Sequence, residues 1–434
     1  MNNNIVDYKS FLSKKGLKRD PLPEKLEMTY QLKDGWVIFG AGIPNPCFYP
    51  FSSMDLILND DCNSKISLDP KELAISQNYS QGFGYPGLLE VLVYFQIRTH
   101  NLKNFENNYG ICLTNGAQHG ISVVLENLLD EGDSIILEEP TYGGLFGVTF
   151  ARNINLVGLG MDDEGILIDE LKSTLSNWNI KEKPFPKLLY LIPTGQNPTG
   201  IIYSNKRKRD ILEVARSYNL LIVEDDPHYF LQFGNDEDSA LDKLPLEPSF
   251  LSMDTDGRVI RLDTFSKILA GGIRFGFITS HPFLNARFRE EVNGTMFHIN
   301  GISQLMMMKL LEKWGDDGWN KHIRMAQRFL KYKRDSMKEI LDKHLGDLVQ
   351  YRVPDAGMYF WLKFPDIDDT FDFIFKYMVD LKVLFGAGSG YSCYQSQKQY
   401  VRACFSHIPV DLIDKSIEKF SQTLKMVLEQ INFY

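Results

Sequence analysis

The feature that most constrains this chain is a repeated unit between residues 110 and 280. A short β-branched or apolar run ends in a few polar residues, and a helix-length segment commonly follows. GICLTNG (110–116) leads into the helical ISVVLENLL (121–129), and SIILEEP (134–140) and KLLYLIPTGQNPTG (187–200) repeat the pattern. A polar helix is expected around 204–218, followed by NLLIVEDDPHY (219–229), RVIRLDTFSK (258–267) and RFGFITS (274–280). Such alternation predicts helices packed on a mixed, mostly parallel sheet of the α/β class. The strand candidates end in TNGAQ, EEPTY, PTGQNPTG, EDDPHY and DTFSK. In an open α/β sheet those carboxyl-terminal ends line one crevice, so the five endings read as one pocket.

The flanks differ in character. WVIFGAGIPNPCFYPF is too rich in Gly and Pro for a helix and predicts surface turns, whereas GLLEVLVYFQIRTHNL reads as an amphipathic helix. Residues 300–340 are long-helical, and the Met run 306–308 reads as core or interface filling. DLVQYRVPDAGMYFWLKFP predicts short strands, IDDTFDFIFKYMVDLKVLFG a helix and strand, VRACFSHIP a last strand and DLIDKSIEKFSQTLKMVLEQ a terminal helix. The C-terminal third therefore reads as a second α+β domain, completed by the N-terminal segment.

Composition narrows the function classes. Lys and Arg number 47 against 56 Asp and Glu, a net charge of -9, so a broad cationic surface for nucleic acid is not expected. Cys47, Cys62, Cys112, Cys393 and Cys404 form no close pair, which suggests reduced thiols. No HExxH, GxSxG or GxxxxGK[ST] motif occurs, and FGAGSG (385–390) comes too late for a dinucleotide fingerprint. No metal site is expected. No apolar run reaches about 18 residues, and the opening residues lack a signal-peptide pattern, so a cytoplasmic protein with no membrane partner is expected.

Lys267 is the foremost chemical candidate because TFSK follows the strand VIRLD and glycines 271 and 272 and Arg274 come next. A nucleophilic lysine needs a desolvated or electropositive site to present free amine near neutral pH. Asp225 ends the apolar LIVE, where an uncompensated carboxylate is expensive and a protonated ring nitrogen would pair with it. Asp226 is the neighbouring alternative; side chains alternate along a strand, so only one of the two should face the ring, and Asp225 is preferred. Asn197 can donate to a ring oxygen, and Tyr142 has the flat face for stacking on a heteroaromatic ring. Gly116, Ala117 and Gln118 open a helix whose backbone amides can face an anion. Thr264, Ser266 and Arg274 can close on the same anion, the arginine through charge-assisted bonds. Arg402, in VRACFS, is a second anion candidate, suited to gripping an α-carboxylate with its fork.

Together GAQHG, EPTY, NPTG, EDDPHY, TFSKILAGGIRFGF and VRACFS resemble a fold-type I pyridoxal-phosphate aminotransferase of class I/II. GAGIPNPCFYP, YSQGFGYPGL and VPDAGMYFWL resemble the kynurenine/2-aminoadipate and fungal aromatic branch, over about residues 35–430. The resemblance implies a large cofactor-binding α/β domain over 56–315 and a smaller α+β domain over 316–434, with 1–55 completing the latter and bordering the site entrance. It implies a homodimer with shared active sites, acting on an amino acid and a 2-oxo acid.

By the same resemblance Lys267 is the Schiff-base lysine, Asp225 pairs with the pyridine nitrogen, Asn197 meets the ring oxygen and Tyr142 stacks. Gln118, Thr264, Ser266 and Arg274 hold phosphate, Ala117 contributes backbone only, and Tyr79 is lent by the neighbouring subunit. Arg402 takes the substrate carboxylate, Asn197 also binds substrate, and Gly42 borders it. His228 stands where relatives carry a tyrosine bonded to the cofactor's ring oxygen; it is expected to donate the same bond while adding a group that titrates near neutrality. The implied reaction moves an amino group from an aromatic amino acid, kynurenine or 2-aminoadipate to a 2-oxo acid such as 2-oxoglutarate. A lyase or decarboxylase using the same cofactor, or a catalytically inactive homologue, are the competing readings.

Overall fold

The structure, a computed structural model, describes residues 6–19, 37, 39, 42–60, 63–80, 83–234 and 246–431. The site-forming elements are β1 (Gly110–Thr114), α1 (Ala117–Leu128), β2 (Ser134–Glu138), β3 (Asn155–Leu159), β4 (Leu188–Leu191), α2 (Asn205–Ser217), β5 (Leu221–Asp225), β6 (Val259–Thr264), β7 (Gly276–Ser280), β8 (Tyr359–Lys363) and β9 (Tyr400–Cys404). The chain divides into two compact units, with boundaries after residues 131, 220, 227, 247 and 321.

In the first unit the strands run in the order β1-β7-β6-β5. β6 is parallel to β5, while β7 is antiparallel to both β6 and β1. The antiparallel β7 departs from simple alternation for a local reason. A parallel return needs a crossover of a dozen or more residues, usually helical. The connection from β6 to β7 instead makes a π turn (Ser266–Ala270) and a 3-10 turn (Gly271–Ile273) and reverses the chain. The carboxyl ends of β1, β5 and β6 consequently share one edge, and β7 starts there. α1 packs close on this sheet: a Cβ at Gly120 would come 3.3 Å from Leu262. Phe265, between Thr264 and Ser266, is buried against the rings of Phe95, Phe275 and Trp319, each centred 5.7 Å away.

In the second unit β2 is parallel to β3 and to β4, in the order β4-β2-β3. β2 and β4 are wholly buried, which explains their unbroken apolar character. α2 presents Ile211, Leu212, Val214 and Ala215 inward, and Ser204 caps its start through Arg207 N at 3.0 Å. A second sheet holds Gln350–Tyr351, β8, β9 and Gly386–Ala387 in that order, all neighbours antiparallel. The strand expected from KVLFG is reduced to the two residues Gly386–Ala387.

The helical run Gly301–His344 is interrupted at Gly315, whose φ of 54° and ψ of -159° are not helical. In the N-terminal part, Pro46–Phe48 forms one 3-10 turn capped by the Asn45 side chain. Cys47, Cys112, Cys393 and Cys404 are free thiols, and Cys62 lies outside the described residues. Among the described residues no helix is long and apolar enough to cross a membrane, and no three His, Cys, Asp or Glu gather as metal ligands.

Candidate active site

At the shared strand edge of the first unit, four candidate residues meet. Thr264 Oγ1 and Ser266 Oγ lie 2.9 Å apart, and Arg274 Nη1 reaches Ser266 Oγ at 3.4 Å. Arg274 is pinned by two carbonyls, Nη1 to Gly271 at 3.1 Å and Nη2 to Asn115 at 2.6 Å, and adopts a left-handed φ of 54°. Opposite stands the start of α1. Its N-cap, Gly116, has φ 79° and no side chain to accept from the first amides. A Cβ there would sit 2.7 Å from Arg274 Nη2, so only glycine lets the helix start and the guanidinium approach this closely. An uncapped helix start, two hydroxyls and an arginine fit a phosphate group. Ala117 and Gln118 occupy the first helical turn and are half-buried.

Lys267 lies in the turn between these hydroxyls and Arg274, but it is exposed. The desolvated amine expected from the sequence is therefore not supplied by the chain's own described residues. The physical reason is the tight π turn, which lies at the surface. What the turn does supply is the positive charge of Arg274.

Asp225 and Asp226 are both buried, and the alternation separates them. Glu224 and Asp226 project to the face that carries Arg261, whose Nη1 lies 3.1 Å from Glu224 Oε1 and 3.0 Å from Asp226 Oδ2. Asp225 is thus directed to the opposite face, opposite Leu262 in the register. The Arg261 cluster was not legible in the sequence. Asp263 joins it through Arg261 Nε at 3.0 Å, and Gln96 donates to Asp263 Oδ2 at 2.8 Å. Burial pushes the Asp263 carboxyl up, with Arg261 pulling it back. His119 Nδ1 accepts from Asn115 N at 3.1 Å, and burial lowers its pKa, which keeps it neutral.

The second unit gathers the other candidates. Arg402 Nη1 donates to Asn197 Oδ1 at 2.9 Å, which turns the Asn197 amide NH2 the other way as a donor. The Arg402 guanidinium lies over the rings of Tyr359 and Tyr391, 4.1 Å and 4.7 Å from their centroids. Burial raises the pKa of both phenols against the lowering effect of Arg402, so they stay neutral. These two tyrosines were missed: Tyr391 sits in a 3-10 turn where no periodicity marks it.

The Asn197 loop is held by Glu138, at the end of β2. Its carboxylate accepts from Ile192 N at 2.9 Å, Tyr203 OH at 2.7 Å and Gln196 Nε2 at 2.9 Å. Tyr142 begins the helix Gly143–Thr149, and its ring folds back so closely that a Cβ at Gly144 would lie 2.3 Å from it.

His228 Nδ1 lies 2.8 Å from the Gly195 carbonyl. A carbonyl only accepts, so Nδ1 carries the proton and neutral His228 presents Nε2 as an acceptor. The expectation that histidine donates as a tyrosine would is corrected on this point: donation from Nε2 requires the imidazolium. Tyr79 is exposed on an aromatic patch with Phe297 (5.6 Å) and His298 (6.1 Å) and makes no hydrogen bond to Thr264, Ser266 or Arg274 among the described residues. Gly42 is exposed, and nothing lies within 4 Å of where its Cβ would be.

Fold and site features together define an α/β transferase of fold type I. The chain belongs to the family described as aminotransferase class I and II, which matches residues 74–420. It is 38% identical over 427 residues to an aromatic amino acid aminotransferase of Dictyostelium discoideum, covering 97% of this chain and 88% of that one. Against the mitochondrial kynurenine/alpha-aminoadipate aminotransferase of Mus musculus it is 35% identical, covering 97% and 99%. A crystal structure of an aminotransferase from Candida albicans superposes with a TM-score of 0.85 at 25% identity, covering 98% and 99%. The protein is an aminotransferase.

Proposed function

We propose that this aminotransferase uses pyridoxal 5'-phosphate to move an amino group from an aromatic amino acid, kynurenine or 2-aminoadipate to a 2-oxo acid such as 2-oxoglutarate. The observation that carries the reading is the cradle of Thr264, Ser266, Arg274 and the uncapped start of α1, built in the same turn as Lys267. When bound, the cofactor would supply an aldehyde that condenses with amines and a ring that accepts the electron pair left by Cα–H cleavage.

This chain's residues do the rest. Lys267 Nζ would hold the cofactor when no substrate is bound and, once a substrate amine has displaced it as free amine, would carry the Cα proton. Asp225 keeps the ring nitrogen protonated. Asn197 donates its amide to the ring oxygen, and Tyr142 offers its ring face. Arg402, held flat by Tyr359 and Tyr391, takes the α-carboxylate in its fork. His228 lies near the Asn197 loop and tunes the ring oxygen. Gln118 and the Ala117 backbone complete the phosphate contacts, and Gly42 borders substrate. The working form is a homodimer in which each protomer lends Tyr79 to its partner's phosphate, consistent with the exposure of Tyr79, and which shields Lys267.

Borohydride reduction of the cofactor-loaded protein, followed by peptide mapping, should fix the cofactor on Lys267. A donor panel with 2-oxoglutarate should then yield oxo acid in step with donor loss. Label on another residue, or release of ammonia or carbon dioxide without an acceptor, overturns the reading, the latter in favour of a lyase or decarboxylase.

A further inference from the structure

Arg402 opens into a cleft of about 780 Å³ that lies wholly within the second unit. Tyr142, Phe371, Phe375 and Phe385 wall it, and Lys398 also lines it. The cleft therefore holds two cations. Arg402 is immobilised by one hydrogen bond and two ring faces, whereas among the described residues Lys398 is held only by Asp369, Nζ to Oδ2 at 3.3 Å, with 55% of its side chain exposed. An exposed pair of this kind is weak and easily exchanged.

The backbone under Lys398 is fixed even though its amine is not. Its carbonyl accepts from Thr370 N at 2.8 Å, and Thr370 Oγ1 donates to the Tyr400 carbonyl at 2.6 Å. Residues 400, 402 and 404 share the half-open face of β9, and Lys398 lies in the turn that leads into that strand, where Tyr400 N donates to the Gln397 carbonyl at 3.2 Å. Both side chains line the one cleft, into which the flexible four-carbon stem of a lysine and the fork of an arginine can reach from two positions. Asp369 keeps a structural bond of its own, accepting from Phe371 N at 2.9 Å as the N-cap of Thr370–Phe373. Its carboxylate therefore stays in place when the lysine leaves.

We propose that Lys398 is a specificity-determining residue that leaves Asp369 to bind the distal carboxylate of dicarboxylic substrates whose α-carboxylate is held by Arg402. With an aromatic substrate the ring packs on the phenylalanine wall and Lys398 stays paired with Asp369. With a five- or six-carbon dicarboxylate the amine turns into the cleft. One pocket thus accepts both classes with the lysine charge paired in either state, while Asp369 keeps its bond from Phe371 N when the lysine leaves. The inference rests on the proposed aminotransfer between such substrates.

The test uses the cofactor-loaded protein. Lys398→Met keeps the stem and removes the charge; it should raise KM for 2-oxoglutarate about 10-fold, equivalent to about 1.4 kcal/mol, and leave KM for pyruvate and for an aromatic donor within about 2-fold. Asp369→Asn retains a good N-cap residue and frees the lysine, so it should lower KM for 2-oxoglutarate. Calorimetric binding of glutarate should weaken about 10-fold in Lys398→Met, and that of butyrate should not change. Unchanged glutarate binding, or equal loss for pyruvate and the aromatic donor, overturns the assignment. If the wild type transaminates no amino acid, the functional reading itself fails; normal transamination with an indifferent Lys398→Met defeats this inference alone.

Discussion

Replacing Arg261 by methionine tests the buried charge cluster behind β5 directly. Arg261 has no exposed side-chain surface and faces three carboxylates, those of Glu224, Asp226 and Asp263, at 3.0–3.1 Å. Among the described contacts one cation faces three carboxylates, and His100 adds no charge, since burial and Arg261 hold its pKa well below the usual imidazole value. Glu224 also accepts from Phe250 N and Leu251 N at 2.7 and 3.1 Å, and burial raises the pKa of Asp263.

Removing the arginine leaves buried charge uncompensated, which typically costs about 3–5 kcal/mol. For a cooperative unit of this size the melting temperature should then fall by roughly 6–20 °C.

Asp263→Asn should behave oppositely. It still accepts from Arg261 Nε, and its amide can donate to Gln96 Oε1, which is buried without a hydrogen-bond partner among the described residues. Its stability at pH 7 should stay within about 1 kcal/mol of the wild type or exceed it. The linkage has a definite sign. A carboxyl whose folded pKa is raised contributes stability that is fully present below the unfolded value of about 3.9 and is lost as pH rises through the folded value. Wild-type stability should therefore carry a downward component above pH 4 that Asp263→Asn lacks. Urea denaturation of the three proteins from pH 4.5 to 8 checks both claims. A loss below about 1 kcal/mol in Arg261→Met, or above about 3 kcal/mol in Asp263→Asn, refutes the charge argument.

Further outcomes follow from single contacts. Asp225→Asn should cut aminotransfer by about 10²–10³-fold with an unchanged melting curve, whereas Asp226→Asn should mainly lower stability; reversed effects exchange their roles. Gly116→Ala forces a Cβ to 2.7 Å from Arg274 Nη2 at a positive φ, so it should cost about 1–3 kcal/mol and weaken cofactor retention on dialysis. His228→Tyr removes the bond to the Gly195 carbonyl and should shift the pH midpoint of the bound cofactor's visible absorbance; an identical titration defeats that role. Phe265→Ala empties the ring cluster beneath the Lys267 turn and should lower stability by about 3–5 kcal/mol, read by calorimetry.

Much of this architecture was readable from residue order. β1, β2, β4, β5 and β6 fall within the apolar runs that announce them, because buried strands need β-branched and apolar side chains whatever surrounds them. Gly116 and its helix start, and the Thr264–Ser266 pair, were legible too, because an N-cap at positive φ favours glycine and the two hydroxyls lie two residues apart. Arg261 was not. An arginine in VIRLD looks like any strand arginine until the register places it against Glu224. Tyr359 and Tyr391 were equally silent, since their role depends on which ring faces meet one guanidinium.

The linear order of residues dictated strand and helix content and placed Lys267 in one turn with Thr264, Ser266 and Arg274. These depend on local conformation and on side-chain chemistry at short spacing. Folding in three dimensions chose which aspartate faces which side of β5, how far Lys267 is covered, and which proton His228 carries. Those outcomes depend on partners distant along the chain: Arg261 lies far from Asp226, and Gly195 far from His228. Hydrogen bonds and charge pairs form between neighbours in space, and no reading of one segment contains its neighbours.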